Sequence, residues 1–141
     1  MTDPSPALGR AAARFLNPGT MHRPTGYTHV VEVTAGRPVY IAGQVAIDPA
    51  GTLVGRGDVR AQARQVFENL RAALEAVGAG FGQVVKLTIY LVDAAHLPAV
   101  REVRDRYVDT ARPPASTAVQ VSRLVMDDLL LEVEAVAVVG A

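Results

Sequence analysis

Hydrophobic and polar positions change period along the chain, and each change marks an element. Thr28 to Thr34 (THVVEVT) is β-branched and predicts a strand. Ala35-Gly36-Arg37 is a short turn, and Pro38 to Val45 (PVYIAGQV) predicts the second strand of a hairpin. Gly43 inside that strand signals a bulge or a close backbone approach. Asp48-Pro49-Ala50-Gly51 suits a type I turn, with Pro second and Gly fourth. Asp58 to Val77 reads as a helix covering a sheet. Val59, Ala63, Val66, Leu70, Ala73 and Val77 recur at three and four residues, Asp58 can cap the start, and Gly78 suits the end. Gln83 to Val92 alternates, with Val85, Leu87, Ile89 and Leu91 on one face. Leu97 to Val108 predicts a second helix with Pro98 in its first turn. Its inward stripe is Leu97, Val100, Val103 or Arg104, and Tyr107. Arg112-Pro113-Pro114 stops it, and strands follow over Ser116 to Leu124 and Leu130 to Val139.

The order is therefore β-β-α-β-α-β-β, without an internal repeat. Two helices against a mixed sheet of five to six strands give an α+β sandwich of two layers. Several strands alternate weakly, and Leu129 to Val139 is apolar on both sides. The sheet's outer face is then apolar, and an apolar face is not left open to water. We expect other subunits to cover it. Residues 1–25 carry Pro4, Pro6, Pro18 and Pro24 with several Gly, Ser and Thr, so they are expected to be irregular, the first ten disordered. Residues 26–141 form a single domain.

Composition narrows the function classes. Positive and negative side chains balance at 14 each, and no long basic run occurs, so phosphate-driven nucleic-acid binding is not expected. There are no cysteines, which removes disulfides, thiol nucleophiles and thiolate metal sites. The first residues show no apolar signal core, and no run reaches the roughly 20 apolar residues of a spanning helix. The simplest reading is a soluble cytoplasmic protein without membrane contact.

Catalytic signatures are sparse. HExxH, G-x-S-x-G, P-loop and GxGxxG patterns are absent, and His22, His29 and His96 are scattered, reading as loop or surface residues rather than metal ligands. Four features remain: Glu132 in an apolar strand, Tyr27 in a proline-flanked loop, the strand segment Ala42-Gly43-Gln44, and the PPAST turn. A carboxylate in an apolar strand is exposed, paired or used. Glu134 shares a strand face with Glu132 and is expected to pair with Arg123. Gln44 reads as structural, and Phe67 and Tyr90 as core or interface.

Those features carry a resemblance. GYTHVVEV (Gly26 to Val33), YIAGQVAIDPAG (Tyr40 to Gly51), AQARQVFENLRAALEAVGA (Ala61 to Ala79), VVKLTIYLVD (Val84 to Asp93), RPPASTAVQVSRL (Arg112 to Leu124) and LLEVEAVAV (Leu130 to Val138) resemble, in order, the reactive intermediate deaminase (Rid, YjgF-like) family, also called endoribonuclease L-PSP. The resemblance implies a chorismate-mutase-like homotrimer with sheets inside, helices outside, and three clefts between subunits. In the family's deaminases such clefts hydrolyse enamines and imines to a 2-keto acid and ammonia without cofactor or metal.

The same resemblance implies site residues. Glu132 would orient the water and Tyr27 close the cleft. Backbone at Gly43 and at Ala118, after Ser116, would hold the polar end of the substrate. The family's carboxylate-binding arginine, in P-A-R-S, is here Ser116, within Pro114-Ala115-Ser116-Thr117. Serine cannot make the bidentate charged pair, a loss of a few kcal/mol or on the order of a hundredfold in affinity. Arg101 stands where the family often carries asparagine and can reach an anion from another direction; otherwise it is a solvated arginine beside Glu102 and Asp105. Two function classes follow: an imine-hydrolysing enzyme whose substrate lacks the usual carboxylate contact, and a catalytically silent trimer that binds a small metabolite. An RNA-cleaving protein is disfavoured by the neutral charge and by the lack of a cleft histidine pair or a stacking platform.

Overall fold

The structure, a computed structural model, describes residues 9–140. Most of the disorder expected for the first ten residues falls outside that range. Strands β1 (Ala13–Leu16), β2 (Val30–Val33) and β3 (Arg37–Gln44) precede helix α1 (Val59–Glu75). Strand β4 (Val84–Leu91), helix α2 (Leu97–Arg104), and strands β5 (Ala115–Gln120) and β6 (Leu131–Val139) follow. The chain is α+β, with both helices on one face of a mixed sheet. That sheet has four strands in the order β3-β6-β4-β5, β6 antiparallel to both neighbours and β5 parallel to β4. The parallel step needs a crossover, which α2 supplies.

Helix α1 forms for the reasons its sequence gives. Asp58 Oδ1 accepts from Ala61 N–H at 3.1 Å. At the other end Ala79 N–H reaches Leu74 O at 2.9 Å and Gly78 N–H reaches Glu75 O at 3.0 Å, closing the last turn. Ala63, Val66, Phe67, Leu70 and Leu74 are fully buried and meet Leu87, Ile89 and Leu91 of β4 and Leu131, Val133, Ala135 and Ala137 of β6. Helix α2 adds Val100 and Val103 to this core. It ends at Arg104, earlier than the expected Val108, although Tyr107 still stacks on Phe67 with ring centroids 5.2 Å apart. Strand β5 likewise ends at Gln120 rather than Leu124. The turn at Asp48 forms, with Gly51 N–H bonded to Asp48 O at 2.9 Å.

Gln62 ties this core to the start of β6. Its side chain is fully buried. Its Nε2 donates to Gly55 O and Asp128 O at 3.1 and 2.8 Å, and its Oε1 accepts from Leu130 N–H at 2.8 Å. Gln62→Leu strands three backbone groups. We expect a loss of about 2–4 kcal/mol in urea unfolding. A loss under about 0.5 kcal/mol would mean that water replaces the amide.

The structure departs from the sequence reading in its strand pairing and its N-terminal segment, and it shows how much of the sheet's second face the chain covers itself. The six strands do not make one sheet: β1 and β2 form a separate antiparallel ribbon, registered Ala13↔Val33 to Leu16↔Val30. The segment expected to be irregular thus contains a strand, because β2 needs a partner and β1 supplies it. Strands β2 and β3 are not a hairpin. Gly36, at φ 106°, turns the chain over the end of β6, where an added Cβ would lie 2.9 Å from Val139 O. β3 then pairs with β6, burying Ile41, while β2 leaves the sheet plane. Lastly, the sheet's second face is partly covered by the chain itself. Ala11, Ala13 and Val31 pack there on Val85, Val136 and Val138. The rest of that face mixes the exposed Tyr40 and Val119 with Tyr90, Glu132 and Glu134. No helix among the described residues is long and apolar enough to cross a membrane.

Candidate functional site

Glu132 and Gly43 are brought together by the β3–β6 pairing. The register Ile41↔Ala135 slips to Gln44↔Val133, so Ala42 and Gly43 bulge out of the ladder. Glu132, half-buried, turns its carboxylate onto the bare Cα of Gly43. A Cβ there would overlap Oε2 and lie 2.8 Å from Cδ and 2.9 Å from Cγ. The expected close approach at Gly43 is therefore the approach of a carboxylate. Across the ladder Glu132 faces Tyr90. Tyr90 donates its hydroxyl to Glu134 at 2.7 Å, and that bond, then burial, then the charges of Glu134 and Glu132 push the phenol above its usual pKa. Tyr90 thus stays protonated and committed to Glu134. Arg123 instead pairs with Asp127 at 3.0 Å, so the Glu134–Arg123 pair expected from sequence does not form. The loop after β5 carries Arg123 away from β6. Glu132 makes no ion pair among the described residues and keeps its acceptor lone pairs free.

Ser116 lies elsewhere. It registers with Leu87, and Leu87 with Ala135, whereas Glu132 registers with Tyr90. Two strand spacings and three residues separate Ser116 from Glu132, about 14 Å at ~4.8 Å per strand and ~3.3 Å per residue. The faces differ too: Ala118, which shares a face with Ser116, touches the helix-side core, and Thr117 Oγ1 on the opposite side accepts from Lys86 Nζ at 2.6 Å. β5 is an edge strand, so part of the backbone at Ser116 and Ala118 has no ladder partner among the described residues.

Tyr27 belongs to the β5 edge. Its loop is fastened there by Thr28, whose N–H bonds Pro114 O at 3.2 Å and whose hydroxyl bonds Pro113 O at 2.5 Å. Beneath the loop is Arg104, almost fully buried, with Nη2 2.9 Å from where a Gly26 Cβ would be and 2.8 Å from Asp105 Oδ1. The inward stripe of α2 thus takes both Val103 and Arg104. Arg101 is half-buried and has no ion pair within 4.0 Å among the described residues. Its neighbours are already engaged. Glu102 accepts from Arg60 at 3.0 Å, a bond that with the same arginine's charge holds its carboxyl below the usual range.

Sequence reasoning missed one grouping. His22 and His29 are not scattered in space: their rings meet edge to face at 4.8 Å, His22 Nε2 lies 3.0 Å from Tyr27 Oη, and His29 Nε2 lies 2.7 Å from His22 O. The signal was available, since both histidines and the tyrosine fall within the eight residues HRPTGYTH. A cavity of about 730 Å³ opens beside His22 and Tyr27, between the loop that follows β1 and the turn that precedes β5. No three His, Asp or Glu side chains among the described residues are spaced to hold a metal ion.

Gly43 and Glu132 thus sit near one edge of the sheet, and Ser116, Ala118 and Tyr27 at the other. A family model described as Endoribonuclease L-PSP matches residues 20–139. The chain is 44% identical to protein DfrA of Myxococcus xanthus over 112 residues, 79% of this chain and 84% of that one. It is 37% identical to 2-iminobutanoate/2-iminopropanoate deaminase of Salmonella typhimurium over 112 residues, 78% and 86% of the two chains. Among solved structures, YyfB of Yersinia pestis, described as a conserved Rid-family protein of unknown function, superposes with a TM-score of 0.84 at 39% identity. The match covers 91% of this chain and 99% of that one.

Proposed function

The chain belongs to the endoribonuclease L-PSP (YjgF/Rid) family, and on that premise we propose that it hydrolyses a small imine or enamine to a carbonyl product and ammonia. The observation that carries the reading is the free Glu132 carboxylate folded onto Gly43. The step needs little. Water adds to the carbon of the protonated imine while Glu132 takes a proton from that water. The proton then passes to the amine nitrogen; as the C–N bond breaks the hydroxyl proton goes to the departing ammonia, which leaves as ammonium beside the carbonyl product, so Glu132 ends as it began. Gly43 N–H and the edge backbone at Ala118 hold the polar end of the substrate.

The two halves of this site lie at opposite edges of one sheet. Each cleft is therefore built between subunits, one giving Glu132 and Gly43, the next giving Ser116, Ala118 and Tyr27. A homotrimer is the assembly we propose. Sedimentation velocity should give three times the 14.9 kDa chain mass. A monomer at micromolar concentration would remove the shared cleft.

Ser116 supports a second reading, a trimer that binds a metabolite without turning it over. Imines made in situ from a panel of amino acids by an amino acid oxidase, and trapped by semicarbazide, separate the two. Wild-type protein should suppress trapping. Ser116→Arg should raise kcat/KM on carboxylate-bearing imines by about ten- to hundredfold, through the bidentate pair it restores. Silence of both proteins would favour the binding reading.

A further inference from the structure

Among the described residues, no carboxylate lies within ion-pair reach of Arg112. Its neighbours are paired: Arg10 with Asp109 at 2.9 Å and Arg14 with Glu32 at 2.7 Å. Arg112 has no Asp or Glu within 4.0 Å among the described residues, although it is half-buried. Instead its guanidinium lies over the Phe15 ring, 4.2 Å from the centroid, and Nη2 donates to Ala13 O at 3.0 Å. These contacts fix the plane of the group and use one of its five N–H donors. A fixed fork with free donors suits a planar anion.

The cavity beside Tyr27 is where that fork sits. Its lining includes Phe15, Asn17, His22, Arg23, Tyr27 and Arg112, and no Asp or Glu among the described residues. Arg23 also lacks an ion pair among the described residues. The volume, about 730 Å³, is in the range of small-molecule sites. Arg112 is also four residues before Ser116, on the turn to which the Tyr27 loop is fastened through Thr28.

We propose that this cavity binds the carboxylate of a small organic acid, with Arg112 making a bidentate contact to it. The orientation relative to chemistry rests on the reading above, in which Tyr27 faces the substrate cleft. The anion site itself does not. Phe15 covers one face of the guanidinium, which leaves an edge for two parallel hydrogen bonds. A carboxylate matches that edge. A phosphate can take the same two bonds, so the titration below includes it.

Full-length ¹⁵N-labelled protein titrated with propionate, propanamide and inorganic phosphate tests this. Propionate should shift the Tyr27 and Thr28 amides saturably, and propanamide should not. Arg112→Gln should weaken propionate binding at least tenfold, the loss of a charge-assisted pair, and Arg112→Lys less. Arg112→Gln also removes the tie to Ala13, so Arg23→Gln, which breaks no hydrogen bond or ion pair among the described residues, is the second variant; about threefold weakening is expected. Unchanged affinity in both variants overturns the proposal, and saturable phosphate without propionate overturns the carboxylate assignment. Glu132→Gln should bind propionate normally. If imine hydrolysis is absent while Arg112-dependent binding remains, the hydrolase reading fails and the anion site stands; the opposite pattern leaves hydrolysis and removes the site.

Discussion

Glu132→Gln should lower imine hydrolysis by about a hundredfold or more, in kcat rather than in KM, with the fold intact. Proton transfer by a positioned side chain contributes roughly 10²–10⁴-fold, and the amide keeps the shape of the carboxylate while losing its basicity. Free acceptors are needed for that work. Glu132 has them: it faces Tyr90 across the ladder, but the Tyr90 hydroxyl is given to Glu134, and the side chain of Glu132 rests against Gly43. No ion pair among the described residues is lost by the substitution, so thermal unfolding should move by only a degree or two. The semicarbazide-trapping assay reads the rate, and circular dichroism reads the fold. Activity within threefold of wild type would remove Glu132 from the chemistry and leave its position on β6 as packing alone.

Glu132 and Gly43 were legible in the sequence for a physical reason. A carboxylate between Leu131 and Val133, and a glycine inside PVYIAGQV, each break a local rule, and such breaks gather at functional sites. Helix α1 was legible because a long period of three and four residues comes from burial on one side. The partners of short strands were not. Four residues at β1 and four at β2 carry no period long enough to choose between ribbon and hairpin, and the turn at Gly36 suits either. The choice is made by Ala11, Ala13 and Val31 finding Val85, Val136 and Val138, a contact between distant parts of the chain. Arg112 was hidden for a similar reason. In sequence it reads as the residue that ends a helix before two prolines. Its lack of a carboxylate partner among the described residues appears only when Asp109 is seen to be held by Arg10.

Gly43→Ala should cost nearly as much activity as Glu132→Gln, although it adds a single methyl group. The backbone at Gly43 is outside the left-handed region, so alanine brings no strain of its own. The cost is the occupied space. The new Cβ would overlap Glu132 Oε2 and come within 2.8 Å of Cδ and 2.9 Å of Cγ, so the whole side chain has to swing away rather than bend its tip. Glu132 is free to swing, since no ion pair holds it among the described residues. The fold should therefore lose no more than about 1–2 kcal/mol. The N–H of residue 43 stays in place in the variant. A fall in kcat would then report the displaced carboxylate, and a rise in KM alone would report the backbone contact. The double variant decides between them. With Glu132→Ala the space beside residue 43 is empty, so adding Gly43→Ala should change little, and the two losses should be far from additive. Additive losses would mean that Gly43 and Glu132 act separately, and that their closeness in the fold has no part in the reaction.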